Sequence, residues 1–276
     1  MHLDRRQFVL GLAGLGVAAC STSGESTRAP AGGAPSTPPA TNAPTTNAPA
    51  TNAPATTTAI AGGTTTARAS TTTAPTGPAR YVSKGAATTT RVALTFHTEG
   101  TVAQVGRLLD MAKSLDVPLT MLLVGQWLEQ NRDLGRRIAD AGHDVGNHTY
   151  SHLSLPDQTR AVVATEIQRC ATVLRDVTGS AGRWFRPSGS NSTTTLINEE
   201  AGKAGYPIVL GFDTDPLDYQ DPGSTAVRSR VVAGIQAGSL VSLHAQHQGT
   251  IDVFESLIGA IRDKGFTLVR ASDLVA

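Results

Sequence analysis

Asp144-Val145-Gly146-Asn147-His148-Thr149-Tyr150-Ser151-His152 is the stretch on which the fold of this chain turns. Its first three residues have the make-up of a brief buried strand, and two histidines four residues apart follow at once. If the segment after Asn147 is helical, both imidazoles leave one face about one turn apart. Two neutral imidazoles so placed can share a divalent metal, because Zn–N bonds of about 2.0–2.1 Å need little more than a helical turn between ligands. The same spacing also arises on solvated helix faces, so the reading rests on what surrounds it.

Outward from that stretch, strand and helix signals alternate. Val92–Phe96, Leu119–Val124, Asp144–Gly146, Arg183–Phe185, Ile208–Phe212, Leu240–Leu243 and Phe266–Val269 have strand character. Between them lie segments with apolar residues at helical spacing: Val102–Leu115, one carrying Leu128, Leu134 and Ile138, Ala161–Val177 ending at Gly179, Thr194–Ala204, Ala226–Ile235 and Val253–Asp263. Such alternation predicts an α/β fold, a parallel sheet with helices packed outside it. About seven strands in one domain favour a closed or nearly closed barrel over an open sheet.

The unusual polar residues fall just beyond the C-terminal ends of these strands. They are His97-Thr98-Glu99, His148 with His152, Arg186, Asp213-Thr214-Asp215 with Asp218, and His244 with His247. In a parallel barrel those ends form one face, where catalytic groups gather. Of seven histidines, only His2 and His143 lie outside these clusters.

The chain ends and composition bound the rest. Arg5-Arg6-Gln7-Phe8-Val9-Leu10 resembles a twin-arginine export signal. The apolar run to Ala19 is about a dozen residues, too short to span a bilayer core of ~30 Å. Val17-Ala18-Ala19-Cys20 resembles a lipobox, so residues 1–20 are expected to be a lipoprotein signal and Cys20 the lipidated, membrane-anchored residue. Residues 21–88 are rich in Ala, Thr and Pro, with Asn-Ala-Pro recurring at Asn42, Asn47 and Asn52. They are expected to be a disordered tether with an r.m.s. span of about 45 Å. The expected location is therefore outside the cytoplasm, on the cell membrane. A net charge of +1 leaves no nucleic-acid footprint. Cys170, the only cysteine besides Cys20, lies in a helical pattern and suits the core. Residues 89–276 are the expected folded domain, taken as a monomer.

Across that domain the five clusters, in this order, resemble the motifs of the polysaccharide deacetylases (NodB-homology domain, carbohydrate esterase family 4). Their usual motifs are TFDDG, H(S/T)xxH, RxPYG, DxxDW and LHD. The resemblance implies a distorted (β/α) barrel of about seven parallel strands and a metal-dependent hydrolase that removes acetyl groups from sugars. It implies a divalent ion, zinc with cobalt or nickel as alternatives, and a cell-envelope polysaccharide of N-acetylated sugars as partner. His148 and His152 match the metal-binding histidines. Arg186 matches the arginine that holds the catalytic base, although Ser188 stands where the family has tyrosine. Asp218 matches the residue that orients the acid histidine, and His244 that histidine, with Ala245 in place of aspartate.

The first motif departs from the pattern. Thr95-Phe96-His97-Thr98-Glu99-Gly100 replaces Thr-Phe-Asp-Asp-Gly. Aligned from Phe96, His97 takes the place of the base; aligned from Gly100, Glu99 takes the metal position. One assignment makes His97 the base, its ordinary pKa near ~6.5 suiting neutral pH, and Glu99 the third ligand. The other makes His97 the third ligand and Glu99 the base. The first is preferred at this stage. A binding protein that keeps the cleft and has lost turnover is the alternative function.

Overall fold

Eight strands, all paired in parallel, alternate with helices along residues 77–275, the part of the chain that the computed structural model describes. The expected signal, Cys20 and the tether as far as residue 76 lie outside the described residues. In chain order come β1 (Arg80–Val82), β2 (Arg91–Thr98), α1 (Val102–Ser114), β3 (Thr120–Leu123), α2 (Gly125–Gln130) and α3 (Arg132–Asp140). They are followed by β4 (Asp144–Asn147), α4 (Arg160–Thr178), β5 (Trp184–Phe185), α5 (Thr195–Lys203) and β6 (Ile208–Leu210). A single 3-10 turn, Asp218–Gln220, precedes α6 (Ser224–Gly234), β7 (Leu240–His244), α7 (Gln248–Asp263), β8 (Thr267–Leu268) and α8 (Ala271–Leu274).

Seven strands follow one path, β1-β6-β5-β4-β3-β2-β7, and β8 pairs with the first residues of β2. A parallel bridge between Thr214, just beyond β6, and Val241 of β7 draws the two sides together. The result is the expected distorted barrel of parallel strands with flanking helices. β1 was not anticipated: Tyr81 and Val82 sit in a Gly/Thr-rich stretch whose composition suggested tether. They pair with Val209 and Leu210, and Ala79 is buried, so the sheet draws in residues ahead of position 89.

Period-two alternation along the strands sorts side chains into two sets. Val92, Leu94 and Phe96 of β2 face outward and join Met121, Leu123, Val241 and Leu243 in the core shared with α1, α2, α4, α6 and α7. Ala93, Leu122, Trp184, Leu210 and Leu240 face inward and close the barrel floor with Ala271 and Leu274 of α8. Continuing the inward stripe by two and four residues from Ala93 gives Thr95 and His97. From Leu240 it gives Ser242 and His244, which is the register partner of His97. The mouth of the barrel is therefore lined with histidine where its floor is lined with aliphatic and aromatic carbon. Gly146 permits this narrowness. A Cβ there would lie 2.5 Å from Leu122 Cδ2 and 3.0 Å from Trp184 Cβ.

Candidate metal centre and active site

Three inward or loop histidines converge at the barrel mouth. His97, His148 and His152 each offer a ring nitrogen, and these atoms lie within 4.8 Å of one another. The ring centroids of His97 and His148 are 4.2 Å apart, and those of His148 and His152 are 4.9 Å apart. Hydrogen bonds decide which nitrogens are available. His148 Nδ1 lies 3.0 Å from the Arg186 carbonyl oxygen and so donates to it, while its buried Nε2 has no hydrogen-bond partner. His152 Nδ1 lies 2.9 Å from Glu99 Oε1, which leaves Nε2 to face the cluster. A buried, unpartnered imidazole nitrogen is costly unless something fills its acceptor role, and a cation does so. The donor set fits a divalent ion of the zinc type: neutral imidazoles whose other nitrogens are fixed by oxygen acceptors.

Electrostatics favour the neutral form of the two innermost rings. Burial, then the neighbouring imidazoles, hold His97 and His148 well below the usual histidine range. The hydrogen bond from His152 holds Glu99 below the usual carboxylate range, against the opposing effect of partial burial.

The loop that presents these ligands is not a helix. After β4 ends, Thr149 (φ +66°) and His152 (φ +60°) adopt the left-handed conformation, which is a strain for a β-branched residue. His148 and His152 therefore converge through a folded-back loop rather than a helical turn. Asn147 Oδ1 accepts from the Thr149 amide, and Glu166 of α4 accepts from the Tyr150 and Ser151 amides and the Ser151 hydroxyl.

Beside the cluster stands His244, its ring centroid 4.3 Å from that of His97. Asp218 Oδ1 accepts from His244 Nδ1 at 2.7 Å, and Oδ2 accepts from the His244 amide and the Thr250 hydroxyl. Burial pushes the Asp218 carboxyl up, but these bonds and the attraction of His244 outweigh it and hold the group below its usual range. The pair of acid and imidazole expected from the fourth and fifth motifs is thus assembled. His247 Nδ1 pairs instead with Asp221, 2.7 Å away, on a more exposed flank.

Several residues singled out in the sequence make contacts other than the expected ones. Glu99, preferred above as third ligand, binds His152 Nδ1 and lies outside the three-nitrogen cluster; His97 completes it. The reason is register. The inward stripe of β2 ends on His97, and Glu99 lies past the strand end. Arg186 bonds to neither His97 nor Glu99. Its guanidinium is buried and donates to the Leu210 and Gly211 carbonyls and to Thr95 Oγ1, with no carboxylate partner, and burial lowers it to about 9. Thr98 turns away, donating its hydroxyl to the Phe96 carbonyl. Of the Asp213–Asp215 cluster, Asp213 serves the fold, accepting from Ser239, Leu240 and Lys84. Trp184 and Phe185 are wholly buried core.

Glu166, Thr250 and Ser242 were not anticipated. Ser242 was within reach of a period-two reading from His244, and its Oγ lies 3.3 Å from His97 Nε2. Glu166 carried a weaker signal, an acid on the apolar stripe Val163-Ile167-Cys170 of α4.

Residues 84–209 match the family model described as polysaccharide deacetylase. That stretch is similar to the polysaccharide deacetylases. Among curated relatives, the domain is 28% identical over 191 residues to a peptidoglycan-N-acetylglucosamine deacetylase of Listeria monocytogenes, covering 68% of this chain and 40% of that protein. It is 32% identical over 184 residues to a chitin deacetylase of Pestalotiopsis sp, covering 64% of this chain and 61% of that protein. The chain spans about half, or less, of the length of the first relatives it matches. Among solved structures, a carbohydrate esterase family 4 pseudoenzyme from Bacillus anthracis superposes with a TM-score of 0.67 at 23% identity. That match covers 71% of this chain and 69% of the other, and the likeness shows a shared barrel fold.

Proposed function

We propose that this protein is a metal-dependent hydrolase that removes acetyl groups from N-acetylated sugars of a cell-envelope polysaccharide of the peptidoglycan type. The observation that carries the reading is the unpartnered, buried Nε2 of His148 within a three-histidine cluster at the barrel mouth. His97, His148 and His152 are the ligands and Glu99 fixes the ring of His152. The names of the Listeria and Pestalotiopsis relatives support the substrate class.

When bound, a divalent ion supplies Lewis acidity, polarising a carbonyl and acidifying water. The chain supplies the proton transfers. Glu99, ionised and beside the ligand set, takes a proton from the attacking water. The water oxygen bonds to the acetyl carbon, and the carbon–nitrogen bond breaks. His244, held by Asp218, gives the departing amine its proton. Products are acetate and the free amino sugar. Arg186 positions the backbone after β6 through its bonds to the Leu210 and Gly211 carbonyls. We propose further that the chain is exported as a lipoprotein anchored through Cys20, with the Ala/Thr/Pro-rich segment giving the domain its reach over the envelope. The export motif, the lipobox and the composition of residues 21–76 support that placement.

A second reading, a glycan-binding protein without turnover, is favoured by one observation: Arg186 has no acid to hold, because the two aspartates of the usual first motif are absent. Acetate release from N-acetylglucosamine oligomers and from peptidoglycan decides between them, measured on the full chain with Zn²⁺ or Co²⁺ and again after chelation. Metal-dependent release is expected, with His244→Ala retaining metal and losing about 10²–10⁴-fold in kcat. Absence of release from a chain loaded with one metal would establish the second reading.

A further inference from the structure

Glu166 lies on α4, the helix packed behind the metal-site loop, and no part of the mechanism above uses it. Its side chain is buried, with the residue only 7% exposed, yet none of its partners is a cation. Oε2 accepts from the Tyr150 amide at 3.0 Å and the Ser151 amide at 2.8 Å, and Oε1 accepts from the Ser151 hydroxyl at 2.8 Å. A buried carboxylate with three neutral donors is expensive to maintain unless those bonds are strong and the geometry they impose is needed.

What they impose is the shape of the segment between two ligands. Tyr150 and Ser151 are the middle of His148–His152, and the residues on either side, Thr149 and His152, are the two in left-handed conformation. The first residues of α2 close on the same segment. The Gly125 amide donates to the Thr149 carbonyl and the Gln126 amide to the Tyr150 carbonyl. Gly125 leaves room for this, since a Cβ there would lie 2.7 Å from the Tyr150 ring. The carbonyls of the loop are thus satisfied by α2 and its amides by Glu166. A strained loop fixed through both its amides and its carbonyls holds its two imidazoles at one separation.

We propose that Glu166 is a positioning residue for the metal centre, acting through the Tyr150 and Ser151 amides to hold the loop in the strained shape that brings His152 to His97 and His148. The proposal rests on the three-histidine reading for its metal, although the loop geometry it explains does not. Glutamine can keep the two amide bonds through its oxygen and donate to Ser151 Oγ through its nitrogen, whereas alanine removes all three bonds. The consequence is a graded loss.

The test titrates Co²⁺ into the full chain and its variants Glu166→Ala, Glu166→Gln and Ser151→Ala, following the visible absorption of the bound ion. Urea unfolding of each metal-free protein runs in parallel. Expected is a loss of at least about tenfold in affinity for Glu166→Ala, with an altered Co²⁺ spectrum. Glu166→Gln should stay within about threefold of the natural protein and Ser151→Ala should fall between the two. Natural affinity and spectrum in Glu166→Ala would overturn the proposal, as would equal losses in the alanine and glutamine variants. Should Glu166→Ala fail to fold, Ser151→Ala against Glu166→Gln decides on the same criteria. If the natural chain takes up no Co²⁺, the three-histidine reading fails. The proposal is then decided by the imidazole NMR resonances of the metal-free proteins. Shifts at His148 and His152 in the alanine variant but not in the glutamine variant support it, and unshifted resonances overturn it.

Discussion

Exchanging one residue at a time in the His97-Thr98-Glu99 segment separates ligand from outer carboxylate by magnitude. Four-ligand structural zinc sites bind with about 10–16 kcal/mol, so each ligand contributes on the order of 3 kcal/mol, or ~10²-fold in affinity. His97→Ala removes one of three protein ligands and should weaken binding by at least that factor. Glu99→Gln removes only a charge-assisted hydrogen bond to His152 Nδ1. Such a bond is worth about 1.5–3 kcal/mol when buried. Here the carboxylate is 33% and the imidazole 30% exposed, and solvent screening reduces the loss to about 1 kcal/mol, tenfold or less. Competition for Zn²⁺ between the protein and a chromophoric chelator, near neutral pH, reads both changes on one scale. His97→Ala should lose far more than Glu99→Gln, with less than one metal per chain at equal concentrations. The reverse order would make Glu99 the ligand and His97 the base, and the three-histidine assignment would be refuted.

Two further outcomes follow from the packing and from a buried acid away from the site. Gly146→Ala forces a Cβ against Leu122 and Trp184; it should destabilise the domain by about 1–3 kcal/mol in urea unfolding and weaken metal uptake by moving β4 and His148. Glu200, 6% exposed in its side chain, receives bonds from Arg160 and Lys203. Burial pushes its carboxyl up, but those bonds prevail and hold it below the usual 4.5. Because its folded pKa is depressed, its stabilisation is present above pH 4.5 and is lost as pH falls through the folded value. Glu200→Gln should therefore be less stable than the natural protein by about 1 kcal/mol at neutral pH and equal to it near the acid limit. A difference independent of pH would show that packing, not charge, is responsible.

Much of this architecture was legible because two periodicities are written plainly into the chain. Val92–Phe96, Leu240–Leu243 and the helical stripes between strands dictated the parallel barrel, and the polar residues just past each strand end marked its active face. Three features were less accessible. β1 is three residues long and gains its stability only from pairing with β6, so composition assigned it to the tether. The spacing of His148 and His152 fits a helical turn as well as a folded-back loop, and only the contacts of Glu166 and α2 with residues 149–151 select the latter. The third ligand depended on which residue ends the inward stripe of β2. Counting by twos from Ala93 reaches His97 and then Glu99, and only the end of the strand at Thr98 makes His97 the last inward residue; that end lies beyond the apolar stretch that revealed the strand.

The persistence of Arg186 without an acid partner follows from the same stripe. Its guanidinium lies inside the barrel below position 97, tied to Thr95 two residues earlier on β2 and to the Leu210 and Gly211 carbonyls at the end of β6. An aspartate at position 97 would be kept ionised by that cation. A histidine there is kept neutral, chiefly by burial and the neighbouring imidazoles, with Arg186 adding to them. Either way the residue at 97 offers an unprotonated atom to the cluster. An imidazole in place of an acid there keeps an unprotonated atom facing the cluster and changes the charge. Three neutral ligands leave the charge of a divalent ion uncancelled, whereas a carboxylate ligand removes one unit of it. An ion held by imidazoles alone would polarise a carbonyl more strongly than one with a carboxylate ligand, and would lessen the demand on a separate strong base.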